Sequence, residues 1–193
     1  MKNKTFTTVI FVRHAQAVQN EDDRNRPLTE AGLKDAGIVL ETLRGRDIHV
    51  FASSPYQRSL QTILETSRYF DLPIFTDERF RERKVGTDEP SMLKNRWADF
   101  SFAEKDGECL QHVQDRNIAA LQALLHEHAG KTIVVGTHGT ALSTILHYYD
   151  PTFDVNGFLR IVDWMPYIVE LVFEGDRLVS KKELAHVDKA PED

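Results

Sequence analysis

The sequence predicts an α/β fold, a three-layer α/β/α arrangement with a mostly parallel central sheet and a C-terminal antiparallel hairpin or edge strand. Three observations predict it. Short β-branched, apolar runs alternate with segments of helical periodicity, the pattern of parallel strands joined by crossover helices. Near the C-terminus that alternation gives way to Tyr167–Phe173 and Arg177–Lys181 flanking Glu174-Gly175-Asp176, a hairpin in composition and length. With 193 residues, 41% hydrophobic and 28% charged, the chain can bury a full core without a metal or disulfide staple, so one domain over 1–193 is expected. No repeat, linker or low-complexity tract interrupts it.

Thr5–Val12, β-branched and aromatic, reads as the first strand, followed by a polar stretch to Pro27. Thr29 caps a first helix whose inward positions Leu33, Ala36/Gly37, Leu40 and Leu43 recur up to Gly45. Ile48–Ala52 is a short buried strand. Ser54 then Pro55 reads as an N-cap with proline at the first helical position, opening a helix with Leu60, Ile63, Leu64 and Ser67 facing inward. Pro73–Phe75 is a third strand. Arg79–Asp106 mixes polar and aromatic residues irregularly and reads as a lid-like loop with one short helix around Met92–Phe100. From Glu108, Leu110, Val113, Asn117, Leu121, Leu124 and Leu125 mark a long amphipathic helix ending at Gly130. Thr132–Thr137 is a strand, and Gly139 to Tyr149 is a helix that stops before Pro151.

Composition excludes several classes of function. Twenty-four basic against thirty acidic residues give a net charge of −6 with no Lys/Arg stripe, which argues against nucleic acid and anionic membranes as partners. The apolar run Val9–Val12 is cut off by Arg13 and His14, far short of a membrane span or signal core. A single cysteine, Cys109, suits a reducing, cytoplasmic compartment, and at the start of a helix its expected role is packing. The eight histidines form no metal-ligand spacing, His126 and His128 falling on different sides of a helix, so no metal is expected. There is no glycine-rich phosphate loop or cysteine-phosphatase motif. No oligomeric state follows from the sequence, although Tyr167–Phe173 would need a pairing partner if it formed a sheet edge.

In parallel sheets ligands bind beyond the carboxyl ends of the strands. There the first strand delivers Arg13 and His14, the second is followed by Ser53-Ser54-Pro55 and Arg58, the third by Glu82, and the Thr132 strand by His138. Singly, each has an ordinary reading: a hydrogen-bonded histidine, a surface arginine, a solvated ion pair within Arg81-Glu82-Arg83-Lys84. Jointly they make a phosphate site with a nucleophile. Guanidiniums bind phosphoryl oxygens through paired donors, an imidazole attacks phosphorus, and a carboxyl protonates a leaving oxygen.

The motifs resemble those of the histidine phosphatase superfamily, the branch that includes the cofactor-dependent phosphoglycerate mutases. Val12-Arg13-His14-Ala15 with Asn20 is similar to its Arg-His-Gly signature and downstream Asn, with Ala15 in place of the glycine. Leu28-Thr29-Glu30-Ala31-Gly32 matches its Leu-Thr-x-x-Gly helix start, and Ser53-Ser54-Pro55-Tyr56-Gln57-Arg58 with Gln61-Thr62 its second signature. Glu82 with Gly86, Gly107-Glu108 with Val113 and Arg116, and Thr137-His138-Gly139 match the remaining elements, so that the likeness runs from about Val9 to Leu146. The resemblance implies that His14 is the phosphorylated nucleophile and Glu82 the proton donor. Arg13, Arg58 and His138 would hold the phosphoryl group, with Asn20 and the backbone N–H of Gly139 adding hydrogen bonds.

The expected activity is hydrolysis of a small phosphorylated metabolite through a phosphohistidine, with no cofactor. Asp88 and Glu89 are the next acidic residues for the donor role if Glu82 does not fill it. A phosphoglycerate mutase and a non-catalytic phosphate-binding or scaffold protein are the alternatives. The insert between Glu82 and Gly107 is short for a cavity that retains an intermediate, and a mere binder has no use for a proton donor. Candidate specificity residues lie in Glu21–Arg26 and Arg83–Phe102, among them Arg24, Arg26, Lys84, Lys94, Arg96 and Trp97.

Overall fold

The computed structural model describes residues 4–20, 22–87 and 92–189. Its elements run β1 (Phe6–Arg13), α1 (Glu30–Asp35), α2 (Gly37–Leu43), β2 (Val50–Ser53), α3 (Gln57–Tyr69), β3 (Ile74–Thr76), a 3₁₀ turn (Glu78–Phe80) and α4 (Met92–Ala98). There follow α5 (Leu110–Glu127), β4 (Thr132–Thr137), α6 (Gly139–Tyr149), α7 (Val155–Ile161), β5 (Trp164–Glu174) and β6 (Arg177–Asp188). The six strands form one sheet in the order β3-β2-β4-β1-β5-β6. β1, β2, β3 and β4 pair in parallel, while β5 runs antiparallel to both β1 and β6. The α/β class, the mostly parallel sheet and the antiparallel C-terminal pair are those the sequence predicts.

Period-two alternation along β1 divides the core. Val9 and Phe11 join Ile133, Val135, Val169 and Leu171 beneath α5, α6 and α7, whereas Ile10 and Val12 join Val134, Ile168 and Phe51 beneath α2 and α3. With both faces covered, each of these side chains contributes about 1.5–3 kcal/mol by burial. That rigid sheet is what fixes the strand ends. No described helix is long and apolar enough to cross a membrane.

Four details differ from the sequence reading. The first helix breaks at Ala36 into α1 and α2, which turns the buried face onto Val39 and Leu43 and leaves Leu33 52% exposed. α3 starts at Gln57 with Tyr56 as N-cap, so Ser54 is not its cap. Its buried face is Arg58, Ser59, Thr62, Ile63, Thr66 and Ser67, with Leu60 and Leu64 only half-buried. The cause is proximity: Ser53 and Ser59 share a hydrogen bond of 3.1 Å above Gly136, and small side chains let the helix approach the sheet. α7 is an element that the sequence reading lacks, and Asp154 caps it by accepting from the N–H groups of Asn156 and Gly157. Finally, β5 and β6 extend well beyond the expected hairpin strands, and Tyr167–Phe173 lies inside the sheet between β1 and β6, leaving β6 as the edge on that side.

Candidate active site

β1 leads directly into His14, whose backbone N–H donates to Thr137 O (3.1 Å) at the matching end of β4. The His14 Nδ1 lies 2.7 Å from the carbonyl oxygen of Ala15. A carbonyl only accepts, so Nδ1 carries the hydrogen and the lone pair is on Nε2. The Ala15 N–H donates to Thr62 Oγ1 (3.0 Å), and that hydroxyl donates to Arg58 O (2.7 Å), so one side chain ties the histidine loop to α3. On the other side Thr29 N–H donates to Gln16 O, and a Cβ on Gly32 would sit 2.0 Å from that oxygen. The Leu-Thr-x-x-Gly sequence is thus a backbone cradle for the residues after His14. Ala15 is fully buried and is not among the residues with positive φ, so its Cβ brings no backbone strain.

Around His14 stand guanidiniums that are only partly satisfied. Arg13 donates through one terminal nitrogen to Ile161 O (2.7 Å) and has its Nε buried without a partner. It packs on Gly139, where a Cβ would come 3.1 Å from Cζ. Arg58, wholly buried, donates through one nitrogen to Asp23 O and pairs with Asp23 Oδ1 at 3.2 Å, while its Nε and other terminal nitrogen are buried without partners. His138 stands edge-on to His14 with ring centroids 5.3 Å apart. Its Nε2 lies 2.7 Å from Ser54 Oγ, and its Nδ1 is buried without a partner. Buried polar atoms without partners are rare in folded proteins, and here four gather around one histidine. An oxyanion would satisfy the guanidinium donors among them.

Glu82 reaches the site from the segment after β3. Its Oε2 accepts from Thr140 N–H (3.0 Å) and its Oε1 from Ala141 N–H (3.0 Å) and Arg83 N–H (2.8 Å), so it caps the N-terminus of α6. Its own carbonyl accepts from Arg81 (3.0 Å) and Arg116 (3.1 Å), which are both held by Glu108. Those guanidiniums keep the Glu108 carboxyl down at about 2 despite burial. Arg83 and Arg96 converge instead on the buried Glu104.

Electrostatics in the site follow from burial. Desolvation first, then the charges of Arg58 and Arg13, hold the His14 pKa well below the ordinary histidine value, with the bond to Ala15 O opposing. Desolvation, Arg58 and His14 do the same to His138. Burial brings Arg13 down to about 10 against the pull of Glu82 and Asp163, still cationic at neutral pH. Among the described residues no three His, Cys, Asp or Glu side chains are grouped to hold a metal ion.

A cleft of about 590 Å³ opens over this cluster, lined by Arg13, His14, Arg26, Arg58 and Glu82. Four of the five residues singled out for catalysis therefore share one cavity, and the fifth, His138, is buried with its ring beside that of His14 and outside the cavity lining. Asn20 is exposed and lines an adjoining cavity with Asp23, Arg26, Tyr56 and Lys84. Gly139 lies beneath Arg13. Of the specificity candidates Arg26 enters the cleft; Arg24 pairs with Glu78 on the surface, Lys94 is exposed, and Trp97 packs among Phe100, Phe153 and Phe158. Glu21, Asp88 and Glu89 lie outside the described residues. Sequence reasoning held Asp23 within the candidate segment Glu21–Arg26 without singling it out, and missed the use of Ser54 and Thr62. Thr62 was detectable, being four residues after Arg58 and so on the same helix face.

With this geometry in view, comparison with known proteins is decisive at the level of family. The profile of the histidine phosphatase superfamily (branch 1) matches residues 9–180. Proteins named probable phosphoglycerate mutase GpmB, from Yersinia pestis (strain Pestoides F) and Yersinia pseudotuberculosis (strain YPIII), are 29% identical over 160 residues, 72% of each chain. Bacillus stearothermophilus YhfR superposes with a TM-score of 0.73 at 24% identity, covering 90% of this chain and 94% of its own. A mycobacterial glucosyl-3-phosphoglycerate phosphatase superposes at 0.74 and 18% identity, covering 92% and 97%. Entamoeba histolytica phosphoserine phosphatase in complex with 3-phosphoglyceric acid does so at 0.74 and 18%, covering 95% and 98%. By sequence match over most of its length and by fold, the chain belongs to the histidine phosphatase superfamily, branch 1.

Proposed function

We propose that the protein is a phosphomonoesterase that hydrolyses a small phosphorylated metabolite through a phosphohistidine on His14. The observation that carries this reading is the state of His14: hydrogen on Nδ1, lone pair on Nε2, imidazole held neutral by burial and by two guanidiniums with unpaired nitrogens. In the first step Nε2 attacks phosphorus in line, the bond from phosphorus to the alkoxy oxygen breaks, and the Glu82 carboxyl gives that oxygen its proton. In the second, the Glu82 carboxylate takes a proton from water as the water oxygen attacks phosphorus, the N–P bond breaks, and inorganic phosphate leaves. Oε2 suits the proton, since it accepts one backbone N–H where Oε1 accepts two. Arg13 and Arg58, with His138, hold the phosphoryl oxygens and stabilise the charge that builds on them. Asn20 and the Gly139 N–H are assigned supporting hydrogen bonds, Asn20 from the rim of the adjoining cavity.

Support comes from the family and from phosphatases among its structural neighbours. The likeness to proteins named probable phosphoglycerate mutases favours one second reading, isomerisation of phosphoglycerate primed by the bisphosphate. Steady-state assay of the purified, metal-free protein on an aryl phosphate separates them. Turnover with release of phosphate supports the phosphatase. Action on phosphoglycerate alone, and then only with the bisphosphate, would overturn it in favour of the mutase.

A further inference from the structure

Two cations, Arg26 and Arg58, face the same cleft, and a single carboxylate stands between them. Asp23 Oδ1 lies 3.0 Å from Arg26 Nε and 3.2 Å from an Arg58 terminal nitrogen, and the Asp23 carbonyl accepts from that same nitrogen. Arg58 has no other polar partner among the described residues, its remaining nitrogens being buried and free. Tyr56 adds only a ring face, 5.0 Å from the guanidinium carbon. The orientation of the buried guanidinium toward His14 therefore rests on one residue of the loop between β1 and α1. That loop is itself tied down: Arg26 N–H donates to Asp22 O, Asp22 accepts from both the backbone and side chain of Asn25, and Arg24 O accepts from Gln57 N–H at the start of α3.

We propose that Asp23 is a positioning residue, a carboxylate that clamps Arg26 and Arg58 side by side so that the free nitrogens of Arg58 meet the phosphoryl group. The proposal rests on the phosphatase reading above, and its consequence runs against simple charge counting. A negative charge beside an anion site repels the anion, so on Coulomb grounds alone its removal tightens phosphate binding. If the carboxylate instead holds the guanidiniums in place, its removal lets two like charges separate and binding weakens, because a misplaced binding group forfeits most of its effect. The signs are opposite. Asp23 is half-exposed on a loop, so replacing it takes nothing from the core.

Inorganic phosphate binding by calorimetry and vanadate inhibition, measured on the full chain and on Asp23→Ala and Asp23→Asn, test this. Asparagine keeps a carbonyl oxygen at the same place and loses the charge. The expected result is that Asp23→Ala weakens phosphate and vanadate by about ten- to a hundredfold at unchanged melting temperature, and that Asp23→Asn recovers most of the loss. Unchanged or tighter binding by Asp23→Ala, or an Asp23→Asn protein no better than Asp23→Ala, overturns the positioning role alone. Failure of the unsubstituted protein to bind phosphate at all overturns the phosphatase reading together with it.

Discussion

At the strand ends, Arg13 and Arg58 each use a terminal nitrogen on a backbone carbonyl and keep other buried nitrogens unpaired. In the segment after β3, Arg81 and Arg116 are engaged by Glu108 and by the carbonyls of Arg79, Arg81 and Glu82, and Arg83 meets Glu104. The residue type is the same in both regions and the degree of satisfaction is opposite. Buried donors without acceptors cost stability, and the strand ends keep them where an anion can use them. The second region is built to be complete in itself, and what it delivers is a single carboxylate, Glu82, held by its backbone. On the proposed reading, reserved capacity at one place and closed networks beside it divide binding from positioning.

The sharpest break of that contrast is His14→Ala. It removes the proposed nucleophile and leaves the guanidiniums where they are, so turnover should fall by at least about a thousandfold while phosphate still binds and the circular dichroism is native. A variant retaining a tenth of the activity, a barrier change of only about 1.4 kcal/mol, rules out nucleophilic catalysis by His14.

Next in size is Glu82→Gln, which keeps one acceptor oxygen for the backbone N–H groups, replaces the other by an NH2 donor, and has no carboxyl proton to give. Activity on alkyl phosphates should drop about 10²–10⁴-fold and much less on p-nitrophenyl phosphate, whose phenolate leaves unaided. Since the same carboxylate is proposed to activate water, phosphohistidine should accumulate and appear as an acid-labile, base-stable mass increase on the intact protein. Equal losses on both substrates with no trapped intermediate reassign Glu82 to capping α6.

Glu108→Ala tests the closed network. It takes the carboxylate from two guanidiniums and leaves them with backbone carbonyls alone, so the chain should lose about 3 kcal/mol in urea unfolding, and kcat should fall through the displaced Glu82 backbone while KM for an aryl phosphate changes little. Acid titration of the unsubstituted protein shows both regions at once. His14 and His138 have depressed folded pKa values, so their contribution is present above the ordinary value of 6.5 and is lost as the unfolded chain takes up protons below it. Glu104 and Glu108, each near 2 in the fold against 4.5 ordinarily, lose theirs between those values. Stability should therefore decline in two stages, with the lower one smaller in Glu108→Ala, where Glu104 still contributes to it. A flat profile from pH 7 to 5 would contradict the neutral buried histidines.

The sequence made the strand ends legible because parallel topology gathers residues that follow strands, so Arg13, His14, Arg58 and Glu82 could be placed together before any coordinates. What stayed hidden depended on side chains crossing between elements. Ser54 has the sequence of a helix cap and serves His138 instead; Asp23 sits in a polar loop whose fold no periodicity encodes; Arg81 and Arg116 lie 35 residues apart around one glutamate. α3 misled because its buried side is hydroxyl-rich, and hydrophobic periodicity is blind to a helix pressed close on small residues. Likewise Asn20 shares the motif's spacing but stands in the neighbouring cavity.

Ala15→Gly should have the smallest effect. Glycine at that place in a histidine loop would be demanded by a positive φ, but Ala15 has an ordinary backbone conformation and packs its methyl group with Ala17, Leu28 and Ala36. Its contributions to the site are its N–H to Thr62 and its carbonyl to His14, and both are backbone groups that glycine keeps. The substitution removes a buried methyl and frees the unfolded chain, which together should cost about 1–2 kcal/mol. Catalysis should stay within about threefold, because the His14 tautomer is set by the carbonyl that remains. Urea unfolding and kcat/KM on p-nitrophenyl phosphate measure the two effects separately. A loss of kcat/KM beyond tenfold in a natively folded protein would show that the alanine side chain, and not the peptide groups beside it, holds His14 in place.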